Sequence, residues 1–118
     1  MKTIYIVEDD DAIREILEVF LESENYDVQS FGSATEFSNR DLSYTPDLYL
    51  FDVRLPDGSG IELCQQIREE KVNEGVPVFI MSAHAQYGET QIACRPDAFI
   101  AKPFDINLML ERIQYFVN

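Results

Sequence analysis

The sequence is poor in the features that mark secreted, membrane-spanning and metal-cluster proteins. Its two cysteines, Cys64 and Cys94, have neither the spacing of metal ligands nor the number that a disulfide framework needs. No apolar run reaches the roughly 18 residues of a membrane-spanning helix, and the apolar part of MKTIYIVEDD is too short for a signal peptide. We therefore expect a reduced, cytoplasmic protein that does not enter a membrane.

Positive charge is also scarce in this chain. Nine lysines and arginines stand against 22 aspartates and glutamates, so the formal net charge is −13. Such a surface repels nucleic acid phosphates and anionic lipids, and we expect direct binding to neither. The chain has no internal repeat, low-complexity tract or linker, and its 118 residues are about the size of one domain. We therefore expect a single globular domain over residues 1–118.

Apolar runs rich in β-branched and aromatic residues alternate with helical patterns. The first run, TIYIV, has no polar alternation, which is typical of a strand covered on both faces. Helical patterns follow at about residues 11–23, after Ser33, before Gly75 and after Asp105, whereas residues 84–95 are only weakly helical because they contain Gly88 and precede a proline. DGSG is expected to be a turn. Five strands separated by helices predict an α/β fold, a doubly wound parallel sheet with helices on both faces. The predicted strands are TIYIV, YDVQSF, PDLYLFD, VPVFIMS and AFIA.

Polar residues follow or end four of these strands. The first strand leads into Glu8 and Asp9, the third ends at Asp52, the fourth ends at Ser82, and the fifth leads into Lys102. In open parallel sheets, ligands bind outside the carboxyl ends of the strands. We therefore expect these five side chains to lie at one edge of the sheet.

This set of residues suits phosphoryl chemistry. Three clustered carboxylates repel one another, and a set of oxygen ligands is one that Mg²⁺ accepts while it shares a phosphate. Lys102 would supply a point charge and Ser82 a hydrogen bond to the phosphoryl group. Asp52 remains as the nucleophile that forms an aspartyl phosphate. Each residue alone has a simpler explanation, as a cap or a solvated side chain, but four strand ends sharing this pattern favour a site.

Four motifs, VEDDD, LFDVRLPDGSGIEL, IMSA and AKPF, occur in an order that resembles the receiver domain of response regulators in two-component signalling. The resemblance implies a flavodoxin-like fold with strand order 2-1-3-4-5. It makes Asp52 the phosphoacceptor and places Mg²⁺ or Mn²⁺ between Asp9, Asp52 and the backbone carbonyl of Arg54, with Glu8 acting through water. Lys102 would bind phosphate and be followed by a cis peptide bond to proline.

The same resemblance implies how the signal enters and leaves. Ser82 is the expected switch hydroxyl and Phe99 the rotating aromatic residue. The phosphoryl group would come from a histidine kinase or a histidine phosphotransfer protein, and the domain would catalyse only its own phosphorylation and dephosphorylation. Output would pass through the fourth helix, fifth strand and last helix to an effector domain or partner protein, or through a homodimer formed on phosphorylation. The chain departs from the family at Arg95-Pro96, where Gly-Ala is usual.

Three other functions compete with this interpretation. A haloacid-dehalogenase-type phosphatase also uses an aspartate and Mg²⁺, but it needs a second aspartate where this chain has Arg54. A flavodoxin-like carrier would need a phosphate cradle in place of the acidic first loop. A receiver-like binding module that is never phosphorylated would not need the whole set of residues. We also expect the side chains of Arg54 and His84 to flank the path of the hydrolytic water and to modulate dephosphorylation.

Overall fold

The structure, a computed structural model, describes residues 1–83 and 94–117. Five strands form the main sheet, and we number only these. Every neighbouring pair is parallel and the order is β2-β1-β3-β4-β5, which confirms the predicted sheet and its strand order. The strands are β1 (Thr3–Val7), β2 (Asp27–Phe31), β3 (Leu48–Asp52), β4 (Val78–Ser82) and β5 (Ala98–Ala101).

The helices begin where polar side chains can satisfy their free backbone amides. Asp10 accepts hydrogen bonds from the amides of residues 12 and 13, Ser33 accepts one from the amide of residue 36, and Asp105 accepts from residues 107 and 108. The helices that the sequence predicts after Ser33 and Asp105 therefore begin directly after these residues. The helices are α1 (Asp11–Ser23), α2 (Ala34–Ser38), α3 (Gly60–Glu69), a short 3₁₀ turn (Lys71–Asn73) and the C-terminal helix (Ile106–Val117).

Two apolar layers cover the sheet, one on each face. Along β1, Ile4 and Ile6 join the layer of α1 and the C-terminal helix, whereas Tyr5 and Val7 join the layer of α2 and α3. Every residue of β1, β3 and β4 is buried, because successive side chains of a strand point to opposite faces and both faces are covered. This explains why the sequence of these strands shows no polar alternation.

The loop after β3 differs from the expected simple turn at DGSG. Gly58–Ser59 pairs in antiparallel fashion with Arg54–Leu55, and only Pro56 and Asp57 form the turn between them. The Ser59 side chain accepts a hydrogen bond from the amide of residue 61 and caps α3, whose first residue is Gly60. The hairpin lets the chain fold back against the end of β3. A Cβ atom on Gly60 would lie 2.1 Å from the carbonyl oxygen of Asp52, so only glycine fits.

Two sequence predictions concern residues that the structure does not describe. The segment 84–93 contains His84, Gly88 and most of the expected fourth helix, so the predictions for His84 and for that helix stay predictions.

The strand β4 begins at Val78, two residues later than expected. Within residues 1–83 and 94–117, no helix is long and apolar enough to span a bilayer.

Candidate metal centre at the carboxyl edge of the sheet

The backbone of the sheet places the predicted site residues at the ends of three strands or one to two residues beyond them. The amide of Glu8, just after β1, donates to the carbonyl of Phe31 at 3.0 Å, and the amide of Lys102, just after β5, donates to the carbonyl of Ser82 at 2.8 Å. These bonds continue the ladder one residue past the strands. They hold Glu8 and Lys102 on either side of Asp52, the last residue of the central strand β3.

Three carboxylates meet at this edge as the sequence predicts. One carboxylate oxygen from each of Glu8, Asp9 and Asp52 lies within 4.8 Å of the other two. Glu8 is fully buried and Asp52 is only 6% exposed, whereas Asp9 is exposed and marks the open side of the cluster. Oxygen ligands alone, with one side open to water, fit a hard cation such as Mg²⁺ that keeps part of its hydration shell.

Lys102 lies between the two buried carboxylates. Its Nζ atom is 2.6 Å from Oε1 of Glu8 and 3.1 Å from Oδ2 of Asp52, and its side chain is 15% exposed. The sequence predicts a lysine at this edge but not its contact with Glu8. The contact follows from burial, because a carboxylate with no access to water needs a hydrogen-bonded counter-charge.

Without a bound metal ion, ionisation of the acidic cluster is unfavourable, as the pKa values of its carboxyl groups indicate. Burial raises the pKa of Glu8, and the neighbouring Asp52 raises it further, while Lys102 and the amide of Asp10 act in the opposite direction. Burial and then the neighbouring Glu8 raise the pKa of Asp9. Burial by itself would lower the pKa of Lys102, but Glu8 and Asp52 together raise it. A divalent cation at Asp9 and Asp52 would stabilise the ionised carboxylates against both the burial and the repulsion that raise these pKa values.

The remaining predicted residues lie on β4, on β5 and on the hairpin after β3. Ser82 ends β4, beside β3, and is buried at the same sheet edge. Phe99 lies on β5, pairs with Ile80 of β4 and is half-buried against the α2–α3 layer. Arg54 is exposed on the hairpin after β3. The peptide bond after Lys102 is cis, as expected.

Two residues that support the site were missed by sequence reasoning. Asp57, in the hairpin turn, accepts hydrogen bonds from the amides of Ala34 and Thr35, both at 2.8 Å, and from the Thr35 hydroxyl. Arg14 of α1 donates to the carbonyl of Glu8 at 2.8 Å. The first contact ties the hairpin to α2, and the second holds the loop that carries the acidic pair. The partner of Asp57 is more than 20 residues away, so no local pattern indicates it.

Comparison with known proteins points to one family. Residues 4–114 match the family described as response regulator receiver domain. The response regulator ArlR of Staphylococcus saprophyticus is 38% identical over 116 residues, which cover 97% of this chain and 51% of that protein. The phosphate regulon transcriptional regulatory protein PhoB of Rhizobium meliloti is 31% identical over 113 residues, covering 94% of this chain and 50% of that protein. The chain thus spans about half the length of these curated relatives.

A solved structure shares the fold at similar coverage. The response regulator protein TrrA of Thermotoga maritima, crystallised in complex with Mg²⁺-BeF, superposes with a TM-score of 0.85 at 26% identity. The match covers 98% of this chain and 99% of that one. The similarity therefore extends over the whole sheet and the edge that carries the acidic cluster.

Proposed function

This chain belongs to the family of response regulator receiver domains, and we propose that it accepts a phosphoryl group on Asp52 in a reaction that needs Mg²⁺ or Mn²⁺. The observation that carries the proposal is the cluster of Glu8, Asp9 and Asp52 with Lys102 against it. The cation would be held by Asp9, Asp52 and the backbone carbonyl of Arg54, with Glu8 bound through water. When bound, it neutralises negative charge on the phosphoryl group.

The residues at the edge divide the work of phosphoryl transfer. The carboxylate of Asp52 attacks phosphorus, a P–O bond forms, and the bond from phosphorus to the donor's leaving group breaks. Lys102 is close enough to Asp52 for its ammonium group to bind the oxygens of the incoming phosphoryl group. Glu8 holds Lys102 at this edge beforehand, so little reorganisation is needed when the phosphoryl group arrives.

The donor that we propose is a phosphohistidine of a histidine kinase or a histidine phosphotransfer protein. The family match and the Mg²⁺-BeF complex of TrrA support it. The acceptor would catalyse only its own phosphorylation and dephosphorylation, and it would turn over no free phosphomonoester. Because the curated relatives are about twice as long, we propose that output reaches an effector domain or partner protein, with a homodimer as the phosphorylated form. We also keep the cytoplasm as the proposed location.

The output step that we propose involves Ser82 and Phe99. Ser82 lies on β4 and Phe99 on the adjacent strand β5. Because Phe99 is only half-buried, inward rotation of its ring would bury more apolar surface. Phosphorylation would draw the Ser82 hydroxyl toward the phosphoryl oxygens, and Phe99 would move into the space that it leaves. The surface that changes would be the segment where the sequence predicts a fourth helix, β5 and the C-terminal helix. Structures with and without beryllofluoride test this, and identical Ser82 and Phe99 conformations in both would refute it.

The lifetime of the phosphorylated state is a further part of the proposal. Arg54 is exposed on the hairpin directly after Asp52, and its guanidinium can hydrogen-bond phosphate oxygens and obstruct the hydrolytic water. We expect Arg54→Ala to lose its phosphoryl group faster than wild type. The role of His84 as a second modulator stays a prediction from the sequence, to be read from His84→Ala in the same assay between pH 5.5 and 8, a range that brackets the usual histidine pKa of about 6.5.

The test of the main proposal is phosphorylation by a small donor. Wild type with acetyl phosphate and Mg²⁺ should gain the mass of one phosphoryl group, and the gain should disappear with a chelator. Asp52→Asn should stay unmodified, because an amide oxygen is a much weaker nucleophile. Asp27→Asn is the matched control, since Asp27 is an exposed aspartate at the start of β2, at the edge of the sheet away from the acidic cluster. Equal modification of wild type and Asp52→Asn would overturn the assignment, and turnover of p-nitrophenyl phosphate would favour the phosphatase.

A further inference from the structure

The fold brings together the chain's two cysteines, which the sequence gives no reason to pair. Cys64 lies on α3, and Cys94 lies four residues before the start of β5. Their exposed fractions are 0% and 3%, within the same apolar layer. The Cys64 thiol donates to the carbonyl oxygen of Cys94 at 3.4 Å, and each thiol shifts the pKa of the other, so the two side chains are neighbours.

The surroundings make the two thiols chemically unequal. The neighbouring Cys64 thiol and then the guanidinium of Arg68 lower the pKa of Cys94, against the effect of burial. The Cys94 side chain, followed by burial, raises the pKa of Cys64. Nε of Arg68 is 3.5 Å from the carbonyl oxygen of Cys94, so the positive charge lies next to this residue. One sulfur is thus favoured as a thiolate and its neighbour is kept as a thiol, which is how reactive and resolving cysteines are paired.

We propose that Cys64 and Cys94 are a redox pair that closes to an intramolecular disulfide when the protein meets hydrogen peroxide. The Cys94 sulfur attacks a peroxide oxygen, an S–O bond forms, and the O–O bond breaks to release water after protonation. The Cys64 sulfur then attacks the Cys94 sulfur, the S–S bond forms, and the S–O bond breaks to release a second water. The two thiols lose two electrons and the peroxide gains them. A dithiol restores both thiols by exchange.

The bridge would reinforce a contact that already ties α3 to the entrance of β5. Nη2 of Arg68 is 2.8 Å from the carbonyl oxygen of Arg95 and 2.9 Å from Oδ2 of Asp97. A Cys64–Cys94 bond would join the same two segments covalently, beside Phe99, which packs against the same apolar layer. Formation of the bridge does not depend on the proposed phosphorylation of Asp52. Only its effect on output rests on that proposal.

The test is mass spectrometry of the folded protein after treatment with hydrogen peroxide. Trypsin separates the two cysteines, because it cleaves after Arg68 and Lys71. We expect the wild type to lose two hydrogens and to yield the two cysteine peptides joined, and dithiothreitol should separate them again. Oxidised methionine adds an oxygen instead, so the joined peptides are diagnostic. Since both thiols are buried, hydrogen peroxide should close the bridge faster than a bulky aromatic disulfide reagent does.

Variants and the unfolded chain provide the controls. Cys64→Ser should yield no joined peptides and should accumulate a sulfenic acid at Cys94. The urea-unfolded wild type, where the two thiols are far apart, should form the bridge at least tenfold more slowly. The proposal is wrong if the folded protein gives no joined peptides, or gives them no faster than the unfolded chain. Phosphorylation by acetyl phosphate, measured separately in the reduced protein, distinguishes this outcome from failure of the proposed function.

Discussion

Replacing Lys102 by methionine tests the electrostatics of the site most directly. Methionine has a similar length and apolar stem but no charge, so it keeps much of the packing and removes the ammonium group. In the wild type the Nζ atom of that group is 2.6 Å from Glu8 and 3.1 Å from Asp52, and Glu8 is fully buried. Lys102→Met therefore leaves two neighbouring carboxylates, one with no contact with water and no counter-charge.

The expected loss of unfolding free energy can be estimated from this geometry. Removing one partner of a buried ion pair costs about 3–5 kcal/mol, which is a large part of the roughly 5–15 kcal/mol of a typical domain. The loss should shrink at lower pH. Without the lysine, the pKa of Glu8 is raised further above its model-peptide value of 4.5, so the folded variant takes up a proton as the pH falls. One proton is worth about 1.4 kcal/mol per pH unit, so up to about 2.7 kcal/mol should return between pH 7.5 and 5.5.

A cation should rescue the variant by the same reasoning. Mg²⁺ at a hundred times its dissociation constant adds about 2.7 kcal/mol to the folded state, and it acts on the repulsion that the missing lysine leaves. Adding Glu8→Gln to Lys102→Met should also restore most of the loss, because a buried amide carries no charge. This second variant separates charge from packing, since it leaves the methionine in place.

The assay is urea unfolding with a chelator or with excess Mg²⁺, at pH 5.5 and 7.5. Lys71→Met is the matched control, because Lys71 is exposed in the 3₁₀ turn, and we expect it to stay within about 0.5 kcal/mol of wild type. A Lys102→Met variant within about 1 kcal/mol of wild type at pH 7.5 without cation would refute the reasoning. So would a loss of stability that is the same at both pH values.

Three further predictions concern the acidic pair and two backbone positions. Because the pKa values of Glu8 and Asp9 are raised in the folded state, the stability that these groups contribute is complete below their usual values of 4.5 and 3.8 and is lost as the pH rises through the folded values. The wild-type melting temperature should show this fall in chelator but not in excess Mg²⁺, and an equal profile in both would contradict the prediction. Gly60→Ala should cost about 3 kcal/mol in urea unfolding, the upper end of the usual range for overpacking, since its Cβ would lie 2.1 Å from a backbone oxygen at the end of β3. Gly58→Ala, with a nearest atom at 3.4 Å, should cost less than about 1 kcal/mol, and similar losses in both variants would count against the close approach. Arg95 has a φ of +51°, a backbone conformation that costs a residue with a Cβ roughly 1–2 kcal/mol. Arg95→Gly should therefore raise the unfolding free energy by about 0.5–1 kcal/mol after the entropy cost of glycine. A loss of stability would show that the arginine side chain, not the backbone, decides this position.

The sequence pattern alone determined the five strands and their parallel arrangement, whereas the strand order was implied by the resemblance to a known family. Apolar runs such as TIYIV become strands buried on both faces because nothing polar interrupts them, and helices capped by residues such as Ser33 and Asp105 separate them. Given a parallel sheet, the carboxyl ends of its strands must share an edge. The meeting of Glu8, Asp9 and Asp52 therefore follows from the positions of acids along the chain.

The tertiary structure decided the contacts between residues that are distant along the chain. The ion pair of Lys102 with Glu8 joins positions 94 residues apart, and it forms because the loops after β1 and β5 converge where Glu8 has no access to water. The cap of α2 by Asp57 and the approach of Cys64 to Cys94 likewise depend on how helices pack against the sheet. Local propensity carries no information about these distances, because side-chain packing in three dimensions sets them.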